Sequence, residues 1–103
     1  MATLIVLFNL KEGASAAEYE AWAKKKDVPT VKGLSSVGDF RVFRSSGILG
    51  TDAAAPYQYV EVIEVNDMNQ FGIDVSSEKM QAIAAEFGAF ADSPTFILAE
   101  QSA

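Results

Sequence analysis

The sequence predicts an α+β domain in which one four-stranded antiparallel sheet carries helices on a single face. Apolar runs of strand length alternate with stretches whose apolar residues recur at spacings of three and four, in the order β-α-β-β-α-β. Both helical regions open on a capping pattern, Ser15 with Glu18 and Asp67 with Gln70. The two halves of the chain repeat the same plan, which is the ferredoxin-like arrangement. At 103 residues the chain is expected to be one domain spanning 1–103. A domain of that size hides roughly two-thirds of the surface its unfolded chain exposes.

The elements follow in order. Thr3 to Leu10 is a continuous apolar run, expected as a central strand covered on both faces. Leu4, Val6 and Phe8 point to one side and Ile5 and Leu7 to the other. A helix starts at Ser15, with Tyr19, Trp22 and Ala23 as its inner stripe, and Pro29 and Gly33 are expected to end it. Asp39 to Ser45 alternates as a second strand, and a loop leads to the third, PYQYVEVIEV at 56–65. A short helix with Met68 and Phe71 follows, interrupted at Gly72 and Asp74. A longer helix then carries Met80, Ile83, Ala84 and Phe87, and Thr95 to Glu100 closes the sheet.

Composition removes whole classes of chemistry. There are no cysteines and no histidines. Disulfides, zinc sites built on those ligands, thiolate nucleophiles and imidazole acid–base catalysis are therefore not expected from one chain. No glycine-rich phosphate loop or dinucleotide fingerprint is present, so the expectation is no cofactor and no metal. A net charge of −6 argues against nucleic acid and anionic membrane surfaces as partners. The N-terminal run MATLIVLFNLKEG is apolar for about nine residues and has no basic segment ahead of it, unlike a signal peptide or membrane span. A cytoplasmic protein is the expectation.

The third strand carries the most informative pattern. Tyr57, Tyr59 and Glu61 share one side of it, among Val60, Val62, Ile63 and Val65. A carboxylate in so apolar a strand needs a partner. Glu61 is either a functional group or an exposed or dimer-bridging charge, and strand tyrosines often only pack. In the functional reading Glu61 abstracts a proton and Tyr59 or Tyr57 steadies the developing oxyanion. Asn9 is then a ligand contact or a strand-end hydrogen-bonding residue, and Arg41 and Arg44 are substrate anchors or edge-strand charges. Trp22, Phe71 and Phe87 form an aromatic ceiling or simply core. Asp27, beside Lys24-Lys25-Lys26, reads as a base or, more simply, as a solvated helix end.

The first strand is apolar on both sides, so a lone subunit leaves one apolar face wet. A second copy stacked sheet to sheet removes the problem. With that plan the chain resembles the dimeric α/β-barrel superfamily, above all in DVPTVKGLSSVGDFRVFR at 27–44 and the strand rich in Tyr, Val and Glu. Within it, VLFNLK at 6–11, the Asp-Val-Pro segment, GILG at 47–50 and PYQYVEVIEV at 56–65 are similar to the RedY-like proteins of prodiginine and other specialised-metabolite clusters. The resemblance implies a homodimer with its ligand between sheet and helices, and a role in small-molecule biosynthesis. Asp27 stands where several enzyme branches of the superfamily have a histidine. Two functions fit. One is a cofactor-independent cyclase, isomerase or monooxygenase acting on an aromatic, pyrrolic or polyketide-like intermediate. The other is a non-catalytic accessory that binds an intermediate or a partner enzyme.

Overall fold

The computed structural model describes residues 2–103. Strand β1 (Ala2–Leu10) leads into helix α1 (Ala16–Trp22), a π-helical turn (Ala23–Asp27) and helix α2 (Val28–Lys32). Strands β2 (Val37–Arg44) and β3 (Tyr59–Val65) follow, then helices α3 (Met68–Asp74) and α4 (Glu78–Phe90), and strand β4 (Ala91–Ala99). The sheet runs β2-β3-β1-β4 with every neighbouring pair antiparallel, the expected ferredoxin-like order. β1 is interior, as its two apolar sides require. No described helix is long and apolar enough to cross a membrane.

Both predicted caps form. Ser15 Oγ accepts from Glu18 N–H at 3.2 Å, and Asp67 Oδ1 from Gln70 N–H at 3.1 Å. Ser77 caps α4 by accepting from Met80 N–H at 3.2 Å. Several boundaries move. Pro29 does not end the first helical region, which runs on to Lys32. The Val28 N–H instead reaches back five residues to Ala23 O. That wider turn makes room for the proline ring, which in a regular helix presses on the carbonyl four residues before it. α3 includes Gly72 and ends at Asp74, and Ala84 is exposed rather than on the α4 core stripe. β4 starts at Ala91, four residues earlier than expected, and its pairing with β1 shifts register between Leu7 and Asn9.

The helices cover the face built from Val6 and Phe8 of β1, Phe40 of β2 and Tyr59, Glu61, Ile63 and Val65 of β3. β3 alternates buried and half-buried along its whole length, the signature of one packed face. The core has two ends. Val31, Val37, Phe40, Ile63, Val65, Met80 and Ile83 fill one. Val6, Phe8, Tyr19, Ala23, Tyr59 and Ala91 fill the other, with Trp22, Phe87 and Phe90 against them. On the opposite face Ile5, Leu7, Val60 and Val62 have no helix over them and are only half-buried.

Candidate functional site

The second, aromatic end of the core carries the polar groups. α1 presents Tyr19 and Glu20 in succession toward β3, and β3 returns Tyr59 and Glu61. The pairs cross. Tyr19 donates its hydroxyl to Glu61 Oε2 at 3.0 Å, and Tyr59 donates to Glu20 Oε2 at 2.7 Å. Tyr19 and Tyr59 rings meet edge to face with centroids 4.7 Å apart, and Phe8 stacks on Tyr59 at 5.5 Å. Such packing fixes both hydroxyls in place, because neither ring can turn without displacing its neighbours.

The two carboxyls sit in opposite electrostatic settings. Glu61 is 4% exposed, with no cation paired to it among the described residues. Burial, reinforced by the negative charge of Asp27, raises its pKa to about 8 even though the Tyr19 hydrogen bond favours the carboxylate. Asp27, on the π-turn, is itself buried and raised to about 7 by desolvation. The expectation of a solvated Asp27 at a helix end is thus overturned: the helix continues, and the π-turn carries Asp27 inward. Burial and Glu61 together push the Tyr19 phenol up. Glu20, in contrast, is held below its ordinary value by the Tyr59 hydroxyl, with Arg44 and Lys24 adding to the effect. Arg44 Nη1 donates to Glu20 Oε2 at 3.1 Å. Burial and the Glu20 carboxylate raise Tyr59 to about 12, so its hydroxyl keeps its proton.

A cleft of about 360 Å³ opens beside this second pair, between the first helical region and the β2 edge. Its apolar wall is Ala23, Val28, Phe40 and Val42, and its polar mouth is Glu20, Lys24, Arg44 and Tyr59. A further depression of about 250 Å³ runs under the loop after β2 and shares Arg44 and Tyr59 with it. Glu61 lies behind the wall, opposite Val42 in the sheet, and does not line the cleft.

The sequence-derived residues therefore separate. Tyr59 reaches the cleft and Glu61 is next to it but enclosed. Tyr57 lies outside β3, in the loop, where its carbonyl accepts from Ser45 Oγ at 2.6 Å. The row of three is a row of two. Asn9 accepts from Gln58 N–H at 2.9 Å and donates to Pro56 O at 3.1 Å, tying down the entry to β3. Arg41 points to the helix-free side, pairs with Asp39 at 3.2 Å and lies over Phe43, so that it borders the cleft from the strand edge. Trp22 and Phe87 pack in the closed aromatic core, where the Trp22 Nε1–H finds no acceptor among the described residues. Phe71 packs at the far end. The helix–sheet space expected to form the pocket is filled by these rings, and the opening sits at its β2 edge. Glu20 and Lys24 were missed, being indistinguishable from solvated helix charges in the sequence. Asp27 had a signal, since it continues the Tyr19–Ala23 stripe by four residues. Among the described residues no three carboxylates converge to hold a metal.

The family model described as REDY-like protein HapK matches residues 2–102, and the chain belongs to that family. The crystal structure of HapK from Hahella chejuensis is 33% identical, aligns over 98% of this chain and 92% of its own, and superposes with a TM-score of 0.81. Two more distant structures show the fold alone. SnoaB from Streptomyces nogalater, a cofactor-independent oxygenase, is 13% identical over 99% of this chain and 93% of its own, with a TM-score of 0.79. A dimeric ferredoxin-like protein of unknown function from Thermobifida fusca is 14% identical over 97% and 90%, with a TM-score of 0.73. No curated protein matches the chain in sequence.

Proposed function

We propose that this member of the REDY-like HapK family serves small-molecule biosynthesis by binding an aromatic, pyrrolic or polyketide-like intermediate in the cleft beside Tyr59. The observation that carries the reading is the cleft itself: an apolar wall of Ala23, Val28, Phe40 and Val42 facing a few fixed polar groups. That combination suits a flat, largely apolar ligand held in one orientation. The protein works as a homodimer, in which a second copy covers the helix-free face carrying Ile5, Leu7, Val60 and Val62. Dimers among its structural relatives support this part of the reading.

A cofactor-independent reaction is the second reading, and the buried Tyr19–Glu61–Asp27 group favours it. Two carboxyls with pKa values near neutral, just behind the cleft wall, support this reading, because such groups can take up and release a proton. Val28→Trp tests the first reading by filling the cleft from its apolar wall. Binding of a neutral aromatic probe, phenylnaphthylamine, is then lost while the fold persists. If the variant binds the probe as wild type does, the cleft is not the site. Glu61→Gln tests the second. Product output in a producing strain falls at least about tenfold, roughly 1.4 kcal/mol of barrier, with probe binding intact. Unchanged output leaves a binding accessory, acting alone or with a pathway enzyme.

A further inference from the structure

The charge around the cleft is at odds with the rest of the molecule. The chain carries −6 overall, from eight basic and fourteen acidic residues. The cleft lining nevertheless holds Lys24, Arg41 and Arg44 against the single carboxylate of Glu20. Arg41 is answered by Asp39, which Lys32 also approaches at 3.4 Å, so that carboxylate too is outnumbered. The adjoining depression has Arg44 as its only charged residue. Ion pairs across the surface answer Arg41 and Arg44 but leave Lys24 over, so the lining keeps a net positive charge.

Hydrogen bonding sharpens the imbalance. Glu20 already accepts from Tyr59 at 2.7 Å and from Arg44 at 3.1 Å through the same oxygen. Arg44 uses one of its five N–H donors there and keeps the others. Lys24 lies one turn beyond Glu20 on the same helical face and forms no ion pair among the described residues. Two cations therefore flank the polar end of an apolar slot, with donors to spare.

We infer that the cleft takes its aromatic ligand as an anion, the acidic group seated between Lys24 and Arg44 and the rings against Val28, Phe40 and Val42. The inference rests on the cleft reading above and adds to it the chemical class of the ligand, an aromatic acid. Glu20 stays in place throughout. It orients Arg44 and, through Tyr59, the floor beneath the rings, while an approaching anion uses the outer face of the guanidinium and the lysine ammonium.

Two probes with the same rings separate the possibilities: anilinonaphthalene sulfonate, an anion, and phenylnaphthylamine, its neutral counterpart. Fluorescence titration at low ionic strength is expected to show the sulfonate binding at least about tenfold more tightly, and added salt is expected to erode that preference. Lys24→Gln leaves both hydrogen bonds to Glu20 in place. It is expected to weaken the sulfonate several-fold while phenylnaphthylamine stays within about twofold of wild type. Arg44→Gln is expected to weaken the sulfonate further, and Val28→Trp to abolish both probes. Equal affinity for the two probes, or a preference that survives Lys24→Gln and Arg44→Gln, overturns the anion assignment alone if Val28→Trp still blocks binding. Binding of either probe that ignores Val28→Trp, or no binding of either, overturns the cleft reading and the inference with it.

Discussion

Two tyrosine–carboxylate pairs lie side by side on the same helix and strand, built from the same four residue positions read crosswise. Tyr59–Glu20 faces the cleft and has Arg44 at 3.1 Å from its carboxylate. Tyr19–Glu61 is enclosed, with the charge of Asp27 rather than a cation bearing on it. Each carboxyl accepts from one tyrosine hydroxyl, and Glu20 accepts from Arg44 as well. What differs is water and the sign of the neighbour, and these decide the charge state. The open pair keeps an ionised carboxylate below its ordinary pKa, whereas the closed pair holds a carboxyl that is still largely protonated at neutral pH. A tyrosine beside a glutamate thus says little about reactivity until its surroundings are known.

The largest effect that sharpens this contrast is on stability against pH. Glu61 and Asp27 have folded pKa values of about 8 and about 7, above their ordinary 4.5 and 3.8. Between those limits the folded chain holds more protons than the unfolded one, so rising pH favours unfolding. The stabilising contribution of these groups is complete below about pH 4, falls through the window from about 4 to 8, and levels off above it. Glu61→Gln removes the charge and keeps an acceptor for Tyr19. It is expected to raise unfolding free energy at pH 8 by at least about 2 kcal/mol, with little change at pH 5. Asp27→Asn acts in the same direction. Urea unfolding of the three proteins at both pH values measures this, and a Glu61→Gln variant no more stable than wild type at pH 8 breaks the contrast.

Tyr19→Phe has the next largest effect. Among the described residues its hydroxyl is the one side-chain donor to the Glu61 carboxyl, and the ring sits at zero exposure among Phe8, Trp22, Tyr59 and Phe90. The ring is kept, so the loss is that of a buried hydrogen bond, about 1 kcal/mol at pH 5. Above pH 8 the abandoned group is a carboxylate, and the cost grows to about 2–3 kcal/mol. Removing the hydroxyl also removes the hydrogen bond that lowers the Glu61 pKa, so the upper limit of the window of declining stability moves upward while its lower limit stays. Equal costs at the two pH values show that Tyr19 contributes packing alone.

The sequence made the sheet legible because strand parity leaves a direct record. Leu4, Val6 and Phe8 against Ile5 and Leu7, and Tyr59 and Glu61 on one side of β3, are the faces the structure displays. The caps at Ser15 and Asp67 were legible for a similar reason, since each needs two residues at one spacing. The site was only partly so. Asp27 was hidden by Pro29 and the lysine run, which together imitate a helix end, and a π-turn that absorbs a proline leaves no periodic trace. Tyr57 was misplaced because side chains, not the sheet ladder, govern the entry to β3: Gln58 Oε1 accepts from Leu10 N–H at 2.6 Å and Asn9 holds the backbone on either side of Tyr57. Glu20 joins the site through contacts across the fold, with Tyr59 and Arg44, which spacing within one helix does not reveal, and Lys24 follows one turn later on the cleft lining.

Tyr59→Phe is expected to have the smallest effect on stability and a distinct one on the cleft. Its ring stacks on Phe8 and stays buried in the variant. Its partner Glu20 keeps Arg44 and is open to water, so no acceptor is stranded and the melting temperature moves by a few degrees at most. The hydroxyl nevertheless links β3 to Glu20 and, through it, to Arg44. Without it Glu20 loses the largest influence holding its pKa down, and the guanidinium loses an anchor on the strand side. Binding of anilinonaphthalene sulfonate should weaken by about threefold to tenfold, roughly 0.6–1.4 kcal/mol, through a faster off-rate. A purely structural Tyr59 predicts another pattern, in which affinity and product output fall only in proportion to lost folded protein. Melting temperature, probe affinity and titre measured on the same variant tell these apart. A Tyr59→Phe protein that melts like wild type and also binds and produces like wild type removes Tyr59 from the site, and with it the distinction drawn between the open and the closed pair.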